Sequence, residues 1–447
     1  MHEFDPALTE MVLAYVKERL EMHEAPLDYP GDRVELEKAL EGLISAGGNA
    51  PEEVMDLYAN TLAPTVLSTD SPRFLAFIPG APTKASLLFD TVVSCASLQG
   101  MSWLEAAGAI AAENQVLRWI ADLAGMPAST GGTFVSGGSA ANLSALTVAR
   151  EVGRKKTGKR TVRIALSKSA HSSIGSTLRI LDIEPVWIET DDHRVTAASF
   201  QRTLDAYDST EPIVAVALTS GTTNAGIVDD IAGVGEIARR HNMWLHVDGA
   251  YGGAGLLSPL VRDQYVGIEH ADSFITDPHK WWFAPFDCAA ILYREPALAA
   301  EVHTQDASYL DVLHEGMPNN QFNPTDLAYH LTRRARGLPL WFSLAVHGTD
   351  AYVNAVSASI ELAHQTAALI ETLPHIELVR EPGLSVVLWH RTGWSPADYD
   401  AMQEKLLSHE VAFVTPTKWE GETIGRFAFL HPATTLDMVK KIFEMCE

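Results

Sequence analysis

The run Ile213-Val214-Ala215-Val216-Ala217-Leu218, followed by Trp244-Leu245-His246-Val247, decides the fold class. An unbroken aliphatic run without polar alternation describes a strand covered on both faces, as in a parallel sheet between helices. Four more runs share the rhythm: Thr133-Phe134-Val135, Val162-Arg163-Ile164-Ala165-Leu166, Pro185-Val186-Trp187-Ile188 and Ala289-Ala290-Ile291-Leu292-Tyr293, with helical segments between them. A largely parallel α/β sheet is therefore expected from about Gly132 onward. Ligands of such sheets bind beyond the carboxyl ends of the strands.

Outward from this sheet the pattern changes. Met11, Tyr15, Val16 and Leu20 fall at helical spacing, Arg33 to Ile44 forms a second helical pattern, and a third follows Asn49-Ala50-Pro51. A long helix is expected from Leu104 through Asp122, ending near Gly125-Met126-Pro127. Residues 303–337 are irregular and polar, with Met317-Pro318-Asn319-Asn320-Gln321-Phe322-Asn323-Pro324, and a loop this long inside a compact domain reads as a functional lid. Past Trp341 the sequence predicts one long helix, Leu344 to Leu373, then a smaller α+β unit with strands near Ser385–His390 and Gly425–Leu430. The expected division is an N-terminal helical segment (1–75), a large α/β domain (76–340) and a small C-terminal α+β domain (341–447).

The composition excludes several classes. With 33 basic against 57 acidic residues the 447-residue chain carries a net charge of −24, which argues against nucleic acid and anionic membrane surfaces. Cys95, Cys288 and Cys446 are odd in number and far apart, so neither a zinc site nor a disulfide framework is expected, and reduced, cytoplasmic thiols are the default. The Met1-His2-Glu3-Phe4-Asp5 start has no basic segment leading into an apolar core, and no apolar run is long enough for a membrane span.

Four features fall just past predicted strands, and a lysine follows them. Phe134-Val135-Ser136-Gly137-Gly138-Ser139-Ala140-Ala141-Asn142-Leu143 is a strand, a glycine turn and a helix start, where backbone N–H groups can meet a phosphate. Alone, it reads equally well as a structural cap. His171 follows the Val162–Leu166 strand, and Thr219-Ser220-Gly221-Thr222-Thr223-Asn224 closes the Ile213–Leu218 strand. Asp248 sits just past Trp244–Val247, where a buried carboxylate needs a cationic partner such as a protonated ring nitrogen. Lys280 lies in Thr276-Asp277-Pro278-His279-Lys280-Trp281-Trp282, where an apolar wall of Trp281 and Trp282 would free its amine for Schiff-base chemistry. By itself, His279-Lys280-Trp281 reads as a lysine laying its methylenes over tryptophan. Together, a phosphate cradle, a histidine for a ring face, an acid for a ring nitrogen and a lysine meet the requirements of pyridoxal 5′-phosphate (PLP). No metal is expected.

At these motifs, and at Ser71–Phe77, Phe286-Asp287-Cys288, Arg333-Arg334 and Arg426-Phe427-Ala428, the chain resembles the group II PLP-dependent decarboxylases of the aromatic-L-amino-acid decarboxylase type. The resemblance implies the PLP-dependent transferase fold type I and a homodimer whose N-terminal helices clasp the partner subunit. It implies phosphate contacts from Gly138, Ser139 and His279 with Asp277 nearby, Thr223 near the cofactor hydroxyl, Ala250 among the cofactor contacts, and catalytic roles for Lys280, His171 and Asp248. It places Phe77, Ile78 and Pro79 around the substrate, with Gln99 and Met101 reaching in from the other subunit. The implied reaction turns an L-amino acid, an aromatic one first, into its amine and CO₂. One departure stands out: the family's loop tyrosine, which protonates Cα, has Gln321-Phe322-Asn323-Pro324 in its place, leaving Tyr309 and His314 as other donors. In related plant enzymes phenylalanine there accompanies aldehyde formation. An aldehyde synthase and a carbon–carbon lyase on the same scaffold are thus alternatives. A PLP-binding regulator without catalysis is disfavoured by the charge and by the intact Asp248 and Lys280.

Overall fold

In the computed structural model, which describes residues 2–314 and 321–446, one sheet contains β1 (Gly131–Val135), β2 (Arg163–Ser167), β3 (Pro185–Ile188), β4 (Ile213–Thr219), β5 (Trp244–Asp248), β6 (Ser273–Thr276) and β7 (Ala289–Tyr293). The order is β1-β7-β6-β5-β4-β2-β3; β2 to β6 run parallel, and β7 lies antiparallel between β6 and β1. β6 escaped the sequence reading, because Ser273-Phe274-Ile275-Thr276 is short and begins and ends on hydroxyl residues.

Burial explains the strand composition. All seven residues of β4 are buried, with Val216 and Leu218 entering one core cluster and Ala215 and Ala217 the other, as period-two alternation requires. The small face receives the helix Gly138–Thr157 closely. At the start of β4, where the register with β2 shifts, a Cβ on Gly153 would lie 2.4 Å from Val214 Cβ, so only glycine permits this approach. Registers Thr219↔Asp248 and Asp248↔Ile275 level the carboxyl ends of β4, β5 and β6, and the Asp277–Lys280 loop leaves from that edge.

A second, antiparallel sheet contains β8 (Ile376–Leu378), β9 (Val386–Arg391), β10 (Thr417–Trp419) and β11 (Glu422–Ala428), in the order β10-β11-β9-β8. Trp389, Tyr399, Phe427 and Phe443 form its aromatic core. Backbone bonds Phe413 N→Arg73 O and Ala428 N→Leu75 O, both 2.9 Å, attach the segment before residue 76 to this unit. The single helix expected over Leu344–Leu373 is two, Leu338–His347 and Thr349–Ile370. Gly348, at φ +75°, breaks the helical path in a conformation glycine adopts without strain. Residue 340 therefore falls inside a helix. In the expected lid, Met317-Pro318-Asn319-Asn320 lies outside the described residues. Among the described residues, no helix is long and apolar enough to cross a membrane.

Candidate active site

The helix Gly138–Thr157 begins on Gly137, and no side chain caps it. Its first N–H groups therefore lack the oxygen acceptor that Asp5, Asp32, Thr83, Thr196 and Asp230 provide at other helices. A Cβ on Gly138 would stand 3.0 Å from both Asp277 carboxylate oxygens and 3.2 Å from Ala250 Cβ, so the bare backbone faces the lysine loop. Ser139 is exposed beside it.

In the lysine loop, Asp277 is almost fully buried, and its Oδ2 meets Lys280 Nζ at 2.9 Å and His279 Nε2 at 3.6 Å. Its Oδ1 is buried and has no hydrogen-bond partner among the described residues. His279 Nδ1 accepts from the Cys288 N–H at 2.9 Å, which leaves Nε2 to carry the proton toward Asp277. Burial pushes the His279 pKa down, against the pull of the Asp277 charge. The expected apolar wall around the lysine is not its immediate surrounding. Trp281 and Trp282 turn into the core: Trp281 stacks on Tyr251 at 5.4 Å, and Trp282 packs edge-on to Trp119 and donates to Thr276 Oγ1 at 2.7 Å. The tryptophans fix the loop from behind, and the amine faces a carboxylate.

Asp248 ends β5 with 3% exposure. Its Oδ1 accepts from Ala250 N at 3.0 Å and its Oδ2 from Asn142 Nδ2 at 2.9 Å. No Lys, Arg or His nitrogen among the described residues forms an ion pair with it, so it is a buried carboxylate held by neutral donors alone. His171 caps the helix Ser172–Ile180 with Nδ1, which accepts from Ser173 N and contacts Ser173 Oγ at 2.8 Å; its ring is exposed. Thr223 is exposed after β4, and its carbonyl accepts from Arg426 Nη2 at 2.6 Å.

The apolar segment divides. Gly80 is so close to the His279 carbonyl that a Cβ would lie 2.4 Å from that oxygen, which brings the end of Phe77-Ile78-Pro79 to the lysine loop, where Phe286 lies tilted against His279 at 4.9 Å. The Phe77 ring itself packs near Phe74 and Phe413, at 6.4 and 6.2 Å. Gln99 and Met101 lie along the Arg333-Arg334 segment instead: Gln99 bridges to Arg334, and Gln99 Nε2 donates to Glu105 at 2.5 Å. Phe322 lines a cavity of about 770 Å³ with Trp103, Arg118, Thr130 and Gln321, which includes none of the residues around Lys280. Tyr309 is exposed, and His314 Nε2 meets Asp326 Oδ1 at 3.1 Å.

Several residues of the site were not singled out from sequence: Asn142, Ser173, His246, Ser273 and Arg426. His246 carried a signal, since it stands two residues before Asp248 and so shares its face of the strand. Asn142 carried another, an amide on the inner face of a helix that needs buried partners.

A buried, uncompensated carboxylate, an uncapped helix start, an orphaned carboxylate oxygen and a lysine on one sheet edge fit a cofactor with a cationic ring nitrogen, a phosphate and a carbonyl. They define a PLP-dependent enzyme of fold type I. The comparisons specify the family: the model of the pyridoxal-dependent decarboxylase conserved domain matches residues 36–391, and the chain belongs to that family. It is 29% identical to an aromatic-L-amino-acid decarboxylase of Bacillus atrophaeus over 89% of this chain and 85% of the relative. It is 30% identical to an L-2,4-diaminobutyrate decarboxylase of Rhizobium meliloti (83% and 77%). The solved structure of Oryza sativa TDC with PLP and tryptamine superposes with a TM-score of 0.89 at 22% identity, over 99% and 98% of the two chains. The protein is a PLP-dependent lyase of amino-acid metabolism.

Proposed function

We propose that the protein decarboxylates an aromatic L-amino acid to its amine, in the cytoplasm, as a homodimer. The observation that carries the site assignment is Asp248, a buried carboxylate with only neutral donors, on the same sheet edge as Lys280. When bound, PLP supplies a carbonyl for amine exchange and an electron sink for the bond that breaks. Lys280 would hold the cofactor covalently, and its amine would leave Asp277 to do so. Asp248 would keep a proton on the ring nitrogen through its charge, and His171 would cover one ring face. The helix start at Gly138-Ser139 and His279 Nε2 would take the phosphate, with Thr223 on the hydroxyl side. In the reaction the Cα–carboxylate bond breaks, CO₂ departs and one proton is delivered to Cα.

An aromatic substrate is supported by Phe286, a ring more than half exposed against His279 of the lysine loop. The second copy is supported by the helices Pro6–Glu21, Arg33–Ala39 and Pro51–Leu57. None of their residues is buried, and they expose Leu8, Val12, Leu13, Val34 and Val54. Gln99 and Met101 would reach the other subunit's site across that interface. A second reading, an aldehyde synthase, rests on Phe322 where the family's loop has tyrosine. There the amino acid, O₂ and water become aldehyde, CO₂, ammonia and hydrogen peroxide.

The test is a product analysis of the PLP-loaded protein with each common amino acid, DOPA and 2,4-diaminobutyrate. CO₂ with an equal amount of aromatic amine is the expected result. Aldehyde with peroxide supports the second reading, and CO₂ only from non-aromatic substrates removes the aromatic assignment.

A further inference from the structure

Behind Asp248 lies a chain of buried polar groups that no step above uses. Asn142, His246 and Ser273 are at most 1% exposed. Asn142 donates both amide hydrogens, one to Asp248 Oδ2 at 2.9 Å and one to Ser173 Oγ at 3.1 Å. Its Oδ1 meets His246 Nε2 at 2.8 Å, His246 Nδ1 meets Ser273 Oγ at 2.8 Å, and Trp244 Nε1 donates to the same oxygen at 2.8 Å. Ser173 Oγ continues to His171 Nδ1 at 2.8 Å.

The directions of these bonds follow from Asp248. An ionised carboxylate only accepts, so the Asn142 NH₂ faces it and the amide oxygen faces His246. Nε2 of His246 must then carry the hydrogen, while Nδ1 accepts from the Ser273 hydroxyl, whose lone pair serves Trp244. On the other branch, Ser173 Oγ accepts from Asn142 and gives its own proton to His171 Nδ1. Every group is satisfied only with His246 neutral, and burial agrees, lowering its pKa to about 4.

We propose that His246 and Asn142 are positioning residues. Through one amide, His246 fixes both the carboxylate assigned to the cofactor's ring edge (Asp248) and, by way of Ser173, the histidine assigned to its ring face (His171). Removing the His246 donor leaves the Asn142 amide oxygen buried without a partner, so the amide is no longer held from behind and Asp248 and Ser173 lose the fixed position of their shared donor. The proposal rests on the cofactor roles given to Asp248 and His171.

The test compares His246→Leu, which removes the donor, with His246→Gln, which returns one at the Nε2 position. Both are assayed for PLP affinity, for the pH titration of the visible absorbance of the PLP-loaded protein, and for melting of the cofactor-free form. Groups that orient a binding residue are worth about 10- to 100-fold in affinity at metal sites, and a loss of that order is expected for His246→Leu. Its absorbance midpoint should move, and His246→Gln should recover most of the affinity. Should His246→Leu not fold, Asn142→Asp has the same size and opposes two carboxylates that must share a proton, so PLP retention becomes steeply pH-dependent. Wild-type affinity and titration in His246→Leu, equal losses in folded His246→Leu and His246→Gln, or pH-independent retention in Asn142→Asp would overturn the relay. If the visible band survives Lys280→Ala, the cofactor reading fails and takes the relay with it. A Lys280-dependent band with unperturbed relay variants removes the relay alone.

Discussion

Replacing Glu113 with glutamine tests how the segment beyond the loop is held against the large sheet. Glu113 and Arg333 are 1% and 3% exposed, and Arg333 Nη2 lies 2.7 and 2.6 Å from the two carboxylate oxygens. Glu113 Oε1 also accepts from Gly337 N at 2.8 Å, and Arg333 donates from Nη1 to Gly100 O at 2.5 Å and from Nε to Phe134 O at 3.0 Å. Burial raises the Glu113 pKa despite the neighbouring guanidinium, so the intact pair contributes little net stability. Breaking it is different. Glutamine matches the shape, but it points an NH₂ at Nη2 and strands a buried cation, at a cost of about 3–5 kcal/mol. For 447 residues at about 2.1 cal/mol/K each, the unfolding entropy is about 0.9 kcal/mol/K, so Tm should fall by about 3–5 °C at fixed protein concentration. Calorimetry of Glu113→Gln and of Glu113→Leu/Arg333→Met gives the answer. The double variant removes both charges but leaves the Gly337 N–H and the Gly100 and Phe134 carbonyls without their side-chain partners, so it too should melt below wild type. A Glu113→Gln melt within 1 °C of wild type would refute the reasoning.

The pH dependence of stability should carry the mark of His246. Its pKa falls from 6.5 to about 4 on folding, so between those values the unfolded chain binds a proton that the folded one does not, and acidification through that window destabilises. From pH 6.5 to 5 this amounts to about 2 kcal/mol. Asp229, raised to about 6 by burial, acts in the opposite sense but equally in both proteins, so His246→Gln should lose less Tm between pH 7 and pH 5 than wild type. An equal loss contradicts the buried neutral histidine. Gly138→Ala places a Cβ 3.0 Å from the Asp277 oxygens, and overpacking of about 1–3 kcal/mol should weaken PLP affinity at least several-fold in equilibrium dialysis; unchanged affinity removes Gly138 from the cradle. Leu13→Lys, on a helix without buried residues, should shift the light-scattering mass toward the monomer, and a persistent dimer would place the interface elsewhere.

The large sheet was legible because both faces of its central strands, β4 and β5, are buried, leaving unbroken runs such as the aliphatic one of β4. β6 was not, since its four residues start and end on hydroxyls that serve the interior, Ser273 to His246 and Thr276 to Trp282. The break at Gly348 was hidden by helix-forming sequence on both sides, although a glycine there allowed it. At the site, Lys280, Asp248 and His171 were readable as residue types placed just past strands. Their neighbours depended on tertiary contact. Nothing in Thr276–Trp282 says that the amine meets Asp277 while both tryptophans turn inward. Asn142, far from Asp248 in sequence, joins it only when the helix Gly138–Thr157 lies across β5.

The central claim, that Lys280 holds the cofactor, is tested most directly by borohydride reduction of the PLP-loaded protein, digestion and mass spectrometry. The account predicts one phosphopyridoxyl label per chain, on Lys280, and none on that peptide in Lys280→Arg. A stoichiometric label on another lysine, or none in a protein that retains PLP, would contradict it.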